Sequence, residues 1–212
     1  MREPIFRIPA VTGWLILVNV VIHALRQLLP SDLDNQLVET FGYAPARLFE
    51  PIGLMTLASL ISYQFLHAGW DHLGMNMVTL LAFGAGVEQA FGRLRFVVLY
   101  FAAGVAGALL ESAVGGWNNA DLLIGASGSI SGVFGALMIM WGFHRRSRTP
   151  IRILTMILLW SSVLAATGIL GIGANGSPVA WIDHIGGFVA GIALALLFEQ
   201  LGGIPASRFR QP

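Results

Sequence analysis

Six long stretches of this chain carry no more than two charged residues each, and that limits the folds open to it more than any other feature. They run from about residue 12 to 29, 69 to 90, 94 to 113, 124 to 143, 152 to 172 and 182 to 201. A helix needs about 20 apolar residues to cross the hydrocarbon of a bilayer, and each stretch is long enough. Across all 212 residues only 11% are charged, where a soluble domain carries about a quarter. The sequence therefore predicts an all-α, polytopic membrane protein with six spans, one domain over residues 1–212. The first run follows Arg2 and Arg7 without a small-residue cleavage site, so it reads as a retained span rather than a signal peptide. A net charge of +1 gives no basic surface for nucleic acid. With no cysteine, disulfide and thiolate chemistry are excluded.

All twelve basic residues are arginine, and their placement sets the orientation. Six spans with both termini inside put Arg2, Arg7, Arg93, Arg95, Arg145, Arg146, Arg148, Arg152, Arg208 and Arg210 on the cytoplasmic side, leaving Arg26 and Arg47 outside. Cytoplasmic segments are enriched in basic residues, so this count supports itself. Spans two, four and six then run from outside to inside. His67, His72 and Asn76 lie near the opening of span two, Ser127 at that of span four and His184 at that of span six. Three helices thus bring serine, histidine and amide groups to one depth near the outer face.

The segment from 30 to 68 departs from this pattern. It begins polar and acidic, with Asp32, Asp34 and Glu39, and turns apolar from Pro51 to Leu66. A connection of that length has a function or a structure of its own. The part from Ile52 to Leu66 is short for a crossing and fits a partly membrane-embedded helix or loop held against the bundle.

Polar groups at membrane depth are costly unless partnered, and they mark function. A serine hydroxyl becomes a nucleophile when a base takes its proton, and a neutral imidazole suits that task. Ser127 and His184 are such a pair if their helices approach closely. Gly128, Gly132 and Gly135 make one smooth helix face, and Gly187 and Gly191 make another, so the backbones can come together. On the other reading, these glycines only pack helices and His184 is an interfacial residue. His72 and Asn76, four apart, share a helix face and both donate hydrogen bonds. Together with the Ser127 N–H at a helix start, they form a candidate oxyanion site. Alternatively they cap the span.

Other polar residues carry less. Zinc bound by His67, His72 and His184 is disfavoured, because His67 and His72 stand five apart and no acid is placed as general base. Asp183 adjoins His184, but neighbouring helix positions point about 100° apart, so a Ser–His dyad is expected rather than a triad. Asn19 and His23 read as interhelical hydrogen-bonding residues and His144 as solvated. Glu88 is expected to pair with Arg93 or Arg95.

Taken together, Gly125-Ala126-Ser127-Gly128, His67 with His72 and Asn76, and His184 followed by Gly187 and Gly191 resemble the rhomboid intramembrane serine proteases. The likeness covers spans two to six, and the turn from Glu88 to Arg95 is similar too. It implies a six-helix rhomboid-like bundle with a water-filled cavity open to the outside. It implies Ser127 as nucleophile and His184 as general base. His72, Asn76 and the Ser127 amide would hold the oxyanion, with His67, Gly125 and Gly128 building the site. No cofactor and no metal are implied. The substrates would be single-span membrane proteins cut near the outer leaflet, after local unwinding, with spans five and six and the loop from 173 to 181 as candidate gate.

Two departures stand out. Many members carry an aromatic residue four after the serine, stacked on the histidine; here it is Ser131, and Phe134 lies one turn deeper. The Trp-Arg pair often found in the first outer loop is absent, which leaves the loop's anchor unexplained. An inactive, client-binding relative is the alternative function, against which the retained Ser127 and His184 argue. A small transporter is disfavoured because the polar groups gather at one end and no inverted repeat is visible. The expected location is a bacterial plasma membrane.

Overall fold

The computed structural model describes residues 8–48, 54–144 and 180–202. Outside this set lie the expected fifth span from 152 to 172 and the loop from 173 to 179. So do the arginines at 2, 7, 145, 146, 148, 152, 208 and 210 and the side chain of His144. Among the described residues there are seven α-helices and no strand. They are α1 (Ala10–Arg26), α2 (Ser31–Phe41), α3 (Leu54–Ser62), α4 (Trp70–Phe91), α5 (Arg93–Gly115), α6 (Ser127–His144) and α7 (Trp181–Gln200).

Local chemistry accounts for the helix ends. Hydropathy carries the first run to residue 29, yet α1 stops at Arg26. Its last turn tightens, with Leu28 N–H donating to Leu25 O and Leu29 N–H to Arg26 O. That is the 3₁₀ pattern, and Pro30 blocks any continuation. Between α4 and α5 stands one residue, Gly92, at φ +85°, a conformation open chiefly to glycine. The segment from 30 to 68 is structured. Helix α2 starts after Pro30 with Asp32 and Asp34 in its first turn, where acids complement the helix dipole. Short 3₁₀ turns at Pro45–Leu48 and Tyr63–Phe65 flank α3.

Helix α1 turns a polar stripe inward and an apolar one outward. It buries Thr12, Asn19, His23 and Arg26 along one stripe and exposes Trp14, Leu17, Val21 and Leu25 on the other. Met75 and Val78 on α4 and Val189 on α7 also face outward. A polar stripe turned inward and an apolar one outward is consistent with a helical membrane protein. By length and composition α5 and α7 can each cross a bilayer, while α1 and Ser127–Met140 of α6 are shorter apolar helices. Helices α5, α6 and α7 pack closely on one another, and α4 packs against α6 and α5. Leu80, Val87, Phe96, Leu99, Ile130 and Val133 fill the core between them.

Glu88 is placed otherwise than expected. It does not reach for Arg93 or Arg95. Its carboxylate accepts the Val11 N–H at 3.0 Å, the Thr12 N–H at 2.7 Å and the Thr12 hydroxyl at 2.8 Å. The first amides of α1 have no partner within the helix, and a buried carboxylate satisfies two of them at the end where negative charge is favoured. Arg95 turns instead to Leu201 O at 3.4 Å and lies 5.7 Å from the centre of the Phe198 ring. Glu88→Ala should therefore lower stability by about 3 kcal/mol, since hydrogen bonds to charged groups contribute about 1.5–3 kcal/mol each. Denaturant titration in detergent measures the loss, and a double-mutant cycle with Thr12→Val assigns it to this contact.

Candidate active site

Helix α6 begins abruptly, and Gly125 is the cause. Its φ is +128°, which side-chain-bearing residues rarely adopt. A Cβ there would also stand 2.9 Å from His72 Nε2 and 3.7 Å from Ser127 Oγ. The missing side chain thus leaves the imidazole on α4 and the hydroxyl on α6 flanking one small space. Upstream, Gly125 N–H donates to Tyr63 O at 3.0 Å, and Tyr43 and Leu123 exchange backbone hydrogen bonds at 3.1 and 2.7 Å. These bonds tie the approach to α6 to the segment from 30 to 68. Ser127 is the first residue of α6 and is half-buried, so its N–H belongs to the turn whose donors have no helical acceptor.

His184 is brought to the same end by glycine packing. A Cβ on Gly187 would fall on the carbonyl of Gly128, and one on Gly191 on the carbonyl of Gly132. Gly135 meets Phe188 O in the same way, 2.5 Å from its Cβ position. Numbers rise together along both helices, so α6 and α7 run parallel. Ser127 immediately precedes Gly128, and His184 stands one turn before Gly187. Both therefore occupy one end of this closely packed helix pair. His184 is buried, 7% exposed, and Asn76 on α4 is buried as well, 6% exposed.

Asp183 diverges from its neighbour. Its carboxylate is buried against the backbones of α5 and α6, at the points where a Cβ on Gly107 or Gly128 would stand. The Tyr63 hydroxyl donates to Gly104 O at 2.7 Å and lies 3.2 Å from Asp183 Oδ1. Asp183 N–H donates to Glu111 Oε2 at 3.0 Å. Beside this, the Ser129 hydroxyl donates to Gln64 Oε1 at 2.7 Å, and Gln64 Nε2 donates to Leu60 O at 3.0 Å. Tyr43 and Ser112 share a hydrogen bond of 2.6 Å. Tyr63, Gln64 and Ser129 escaped the sequence reading, because a tyrosine and a glutamine in an apolar loop carry no spacing signal.

The histidines gather over this wall. His67 and His72 stand with ring centres 5.1 Å apart, and His23 lies 6.5 Å from His67. His67 is fully buried, and burial, aided by His72 and His23, holds its imidazole well below the usual range. Among the described residues no three His, Asp or Glu side chains are grouped as metal ligands. Ser131 is fully buried, and Phe134 packs against Phe83 and Phe188, ring centres 5.1 and 6.1 Å away.

The loop anchor that the sequence left open comes from α1. Arg26 donates through Nε and Nη2 to the two carboxylate oxygens of Asp34, at 2.7 and 3.2 Å. Its Nη1 donates to His67 O at 2.8 Å. One guanidinium therefore joins α1, α2 and the strand of backbone leading to His72. Arg26→Ala should cost about 2 kcal/mol, in the range of charge-assisted hydrogen bonds. Arg26→Lys should recover only part of that, lacking the planar fork. Thermal unfolding of the three proteins in one detergent gives the order.

A helical bundle that is apolar outside and gathers a serine, histidines and an asparagine at one end defines a class: membrane-type bundles with an internal polar site. The family follows from comparison. Residues 55–200 match the model of the Rhomboid domain, and the chain belongs to the rhomboid family. RHOMBOID-like protein 1 of Arabidopsis thaliana is 33% identical over 143 residues, covering 66% of this chain and 34% of its own length. Rhomboid-type serine protease 2 of Emericella nidulans is 29% identical over 137 residues, 63% of this chain and 25% of that protein. Rhomboid-like protease 3 of Toxoplasma gondii is 26% identical over 196 residues, 88% of this chain and 68% of that protein. The chain spans about a third of the length of the first of these relatives.

Proposed function

We propose that this chain is an intramembrane serine endopeptidase that cuts single-span membrane proteins near the outer leaflet. The observation that carries the reading is the glycine-to-glycine contact of α6 and α7, which sets Ser127 and His184 at one end of two parallel helices. Proteases among the relatives support it.

In this reading an unwound substrate segment enters the polar end. His184 takes the proton of Ser127 as the hydroxyl attacks the peptide carbonyl. Negative charge develops on the carbonyl oxygen, and His72, Asn76 and the Ser127 N–H donate to it. His184 then returns the proton to the leaving amine, and water hydrolyses the acyl-enzyme. Gly125 keeps the space between His72 and Ser127 open, Gly128 makes room for the Asp183 carboxylate beside Ser127, and His67 backs His72. The arginine placement supports a six-span reading with both termini on the cytoplasmic side of a plasma membrane.

The test pairs two readouts on the protein in lipid vesicles. A fluorophosphonate probe should label the native protein and not the heat-denatured one. A reporter with one transmembrane segment, carrying small and helix-weakening residues near its outer end, should be cut within that region. Binding of the reporter with neither labelling nor cleavage would replace the protease reading with that of a client-binding relative.

A further inference from the structure

The buried acid beside His184 has a feature that a dyad does not use. Tyr63 Oη stands 2.7 Å from Gly104 O and 3.2 Å from Asp183 Oδ1. A carbonyl oxygen has no proton, so the short contact to Gly104 requires the phenol to donate there. A phenol has one proton. Were Asp183 ionised, either that proton would turn to the carboxylate and leave Tyr63 Oη and Gly104 O facing each other lone pair to lone pair, or the carboxylate would face the phenol oxygen with none. Two acceptors around one hydroxyl are each fully satisfied when a second proton is present, and Asp183 is the group of the three that can carry it. The surroundings agree. Asp183 is 1% exposed, lies against glycine backbone of α5 and α6, and has Glu111 on its own N–H. The ion pair formed among the described residues, Arg26 with Asp34, is at another place. A bare carboxylate in such surroundings is costly, and the neutral acid is the form that fits.

We infer that Asp183 is a neutral, proton-bearing carboxylic acid that donates to Tyr63 Oη and, through it, to Gly104 O, and that this relay positions His184. The relay crosses three parts of the fold. It joins the first turn of α7, which carries His184, to α5, and both to Tyr63, four residues before His67. Asp183 is therefore a positioning residue and not the third member of a triad. Its side chain holds the backbone on which the imidazole is mounted. The positioning role rests on the hydrolase reading above, whereas the protonation state is independent of it.

The experiment separates the two. Infrared spectra of the full chain in vesicles, at neutral pH, should contain the C=O stretch of a protonated carboxyl group, above the amide I band. That band should vanish in Asp183→Asn and shift in Tyr63→Phe, where the acid loses its acceptor. Activity gives the second readout. Asp183→Ala should lose on the order of 10²-fold in kcat, the cost of a misplacement of about 1 Å near the chemistry. Asp183→Asn, whose amide N–H₂ replaces the acid as donor to Tyr63 Oη, should restore most of it. A triad carboxylate would behave oppositely, since its amide variant drops kcat by about 10⁴ through the wrong imidazole tautomer. Absence of a protonated-carboxyl band assignable to Asp183, or a band that Tyr63→Phe leaves unmoved, would overturn the inference even if Asp183→Asn did not fold. An inactive wild-type chain with the band present would sink the hydrolase reading alone.

Discussion

Ser127→Ala should reduce peptide cleavage to background, and the fluorophosphonate label should disappear with it. In a serine hydrolase, loss of the nucleophile lowers kcat by about 10⁶-fold, and loss of the base alone costs about as much. His184→Ala is therefore expected to match Ser127→Ala, and the double variant to be no worse than either. That non-additivity is the informative part. Two residues that act as one unit cannot each remove the same step twice. KM for the transmembrane reporter should change little if, as proposed, the hydroxyl acts on the peptide carbonyl only after the segment is bound. Stability should also hold in Ser127→Ala, since Ser127 is only half-buried at a helix start. Label that persists in Ser127→Ala would place the nucleophile elsewhere and remove the basis of the mechanism.

The second large effect is expected from a residue with no chemistry. Gly191→Val puts branched carbons where the carbonyl of Gly132 stands. The clash cannot be relieved by a side-chain rotation, because the Val Cβ is fixed to its own backbone and the atoms it meets on Gly132 are backbone. Overpacking of this kind costs about 1–3 kcal/mol in stability. The larger consequence is geometric. Forcing α6 and α7 apart moves the helix ends that carry Ser127 and His184, and a shift of about 1 Å can cost about 10²-fold in rate. Cleavage should thus fall much further than unfolding free energy does. Gly74→Ala is the control, with nothing within 4 Å of its Cβ position. A helical Gly→Ala change at such a site gains about 0.5–1 kcal/mol, and cleavage should be untouched. Equal loss of activity in both variants would show that glycine content, not the α6–α7 contact, governs the site.

Some of this architecture can be read along the chain. Helix α4 covers Trp70–Phe91 where hydropathy drew 69 to 90, and α7 covers Trp181–Gln200 where it drew 182 to 201. The Gly128, Gly132, Gly187 and Gly191 spacing suggested a close helix contact, and those residues do meet. What could not be read is where each buried polar group finds its partner. Glu88 has arginines five and seven residues away, yet its partner Thr12 is 76 residues distant. Arg26 was counted as an outside charge, while its three hydrogen bonds tie α1 to α2 and to the turn before α4. Asp183 and His184 separate as adjacent helix positions must, but nothing in their spacing points to Tyr63, 120 residues earlier.

The difference has a physical origin. A helix within lipid closes its own backbone hydrogen bonds, four residues apart, so the length and composition of an apolar run are enough to determine that a helix forms and nearly where it ends. By itself the sequence determined the long helices α1, α4, α5, α6 and α7 to within a few residues, the glycine faces and the set of polar residues worth watching. The folded chain alone decided that Glu88 closes α1, that Arg26 anchors the first loop and that Asp183 shares a phenol with Gly104. A desolvated polar atom is satisfied by whichever partner the packing brings within about 3 Å, and that partner is set by how helices dock, not by distance along the chain.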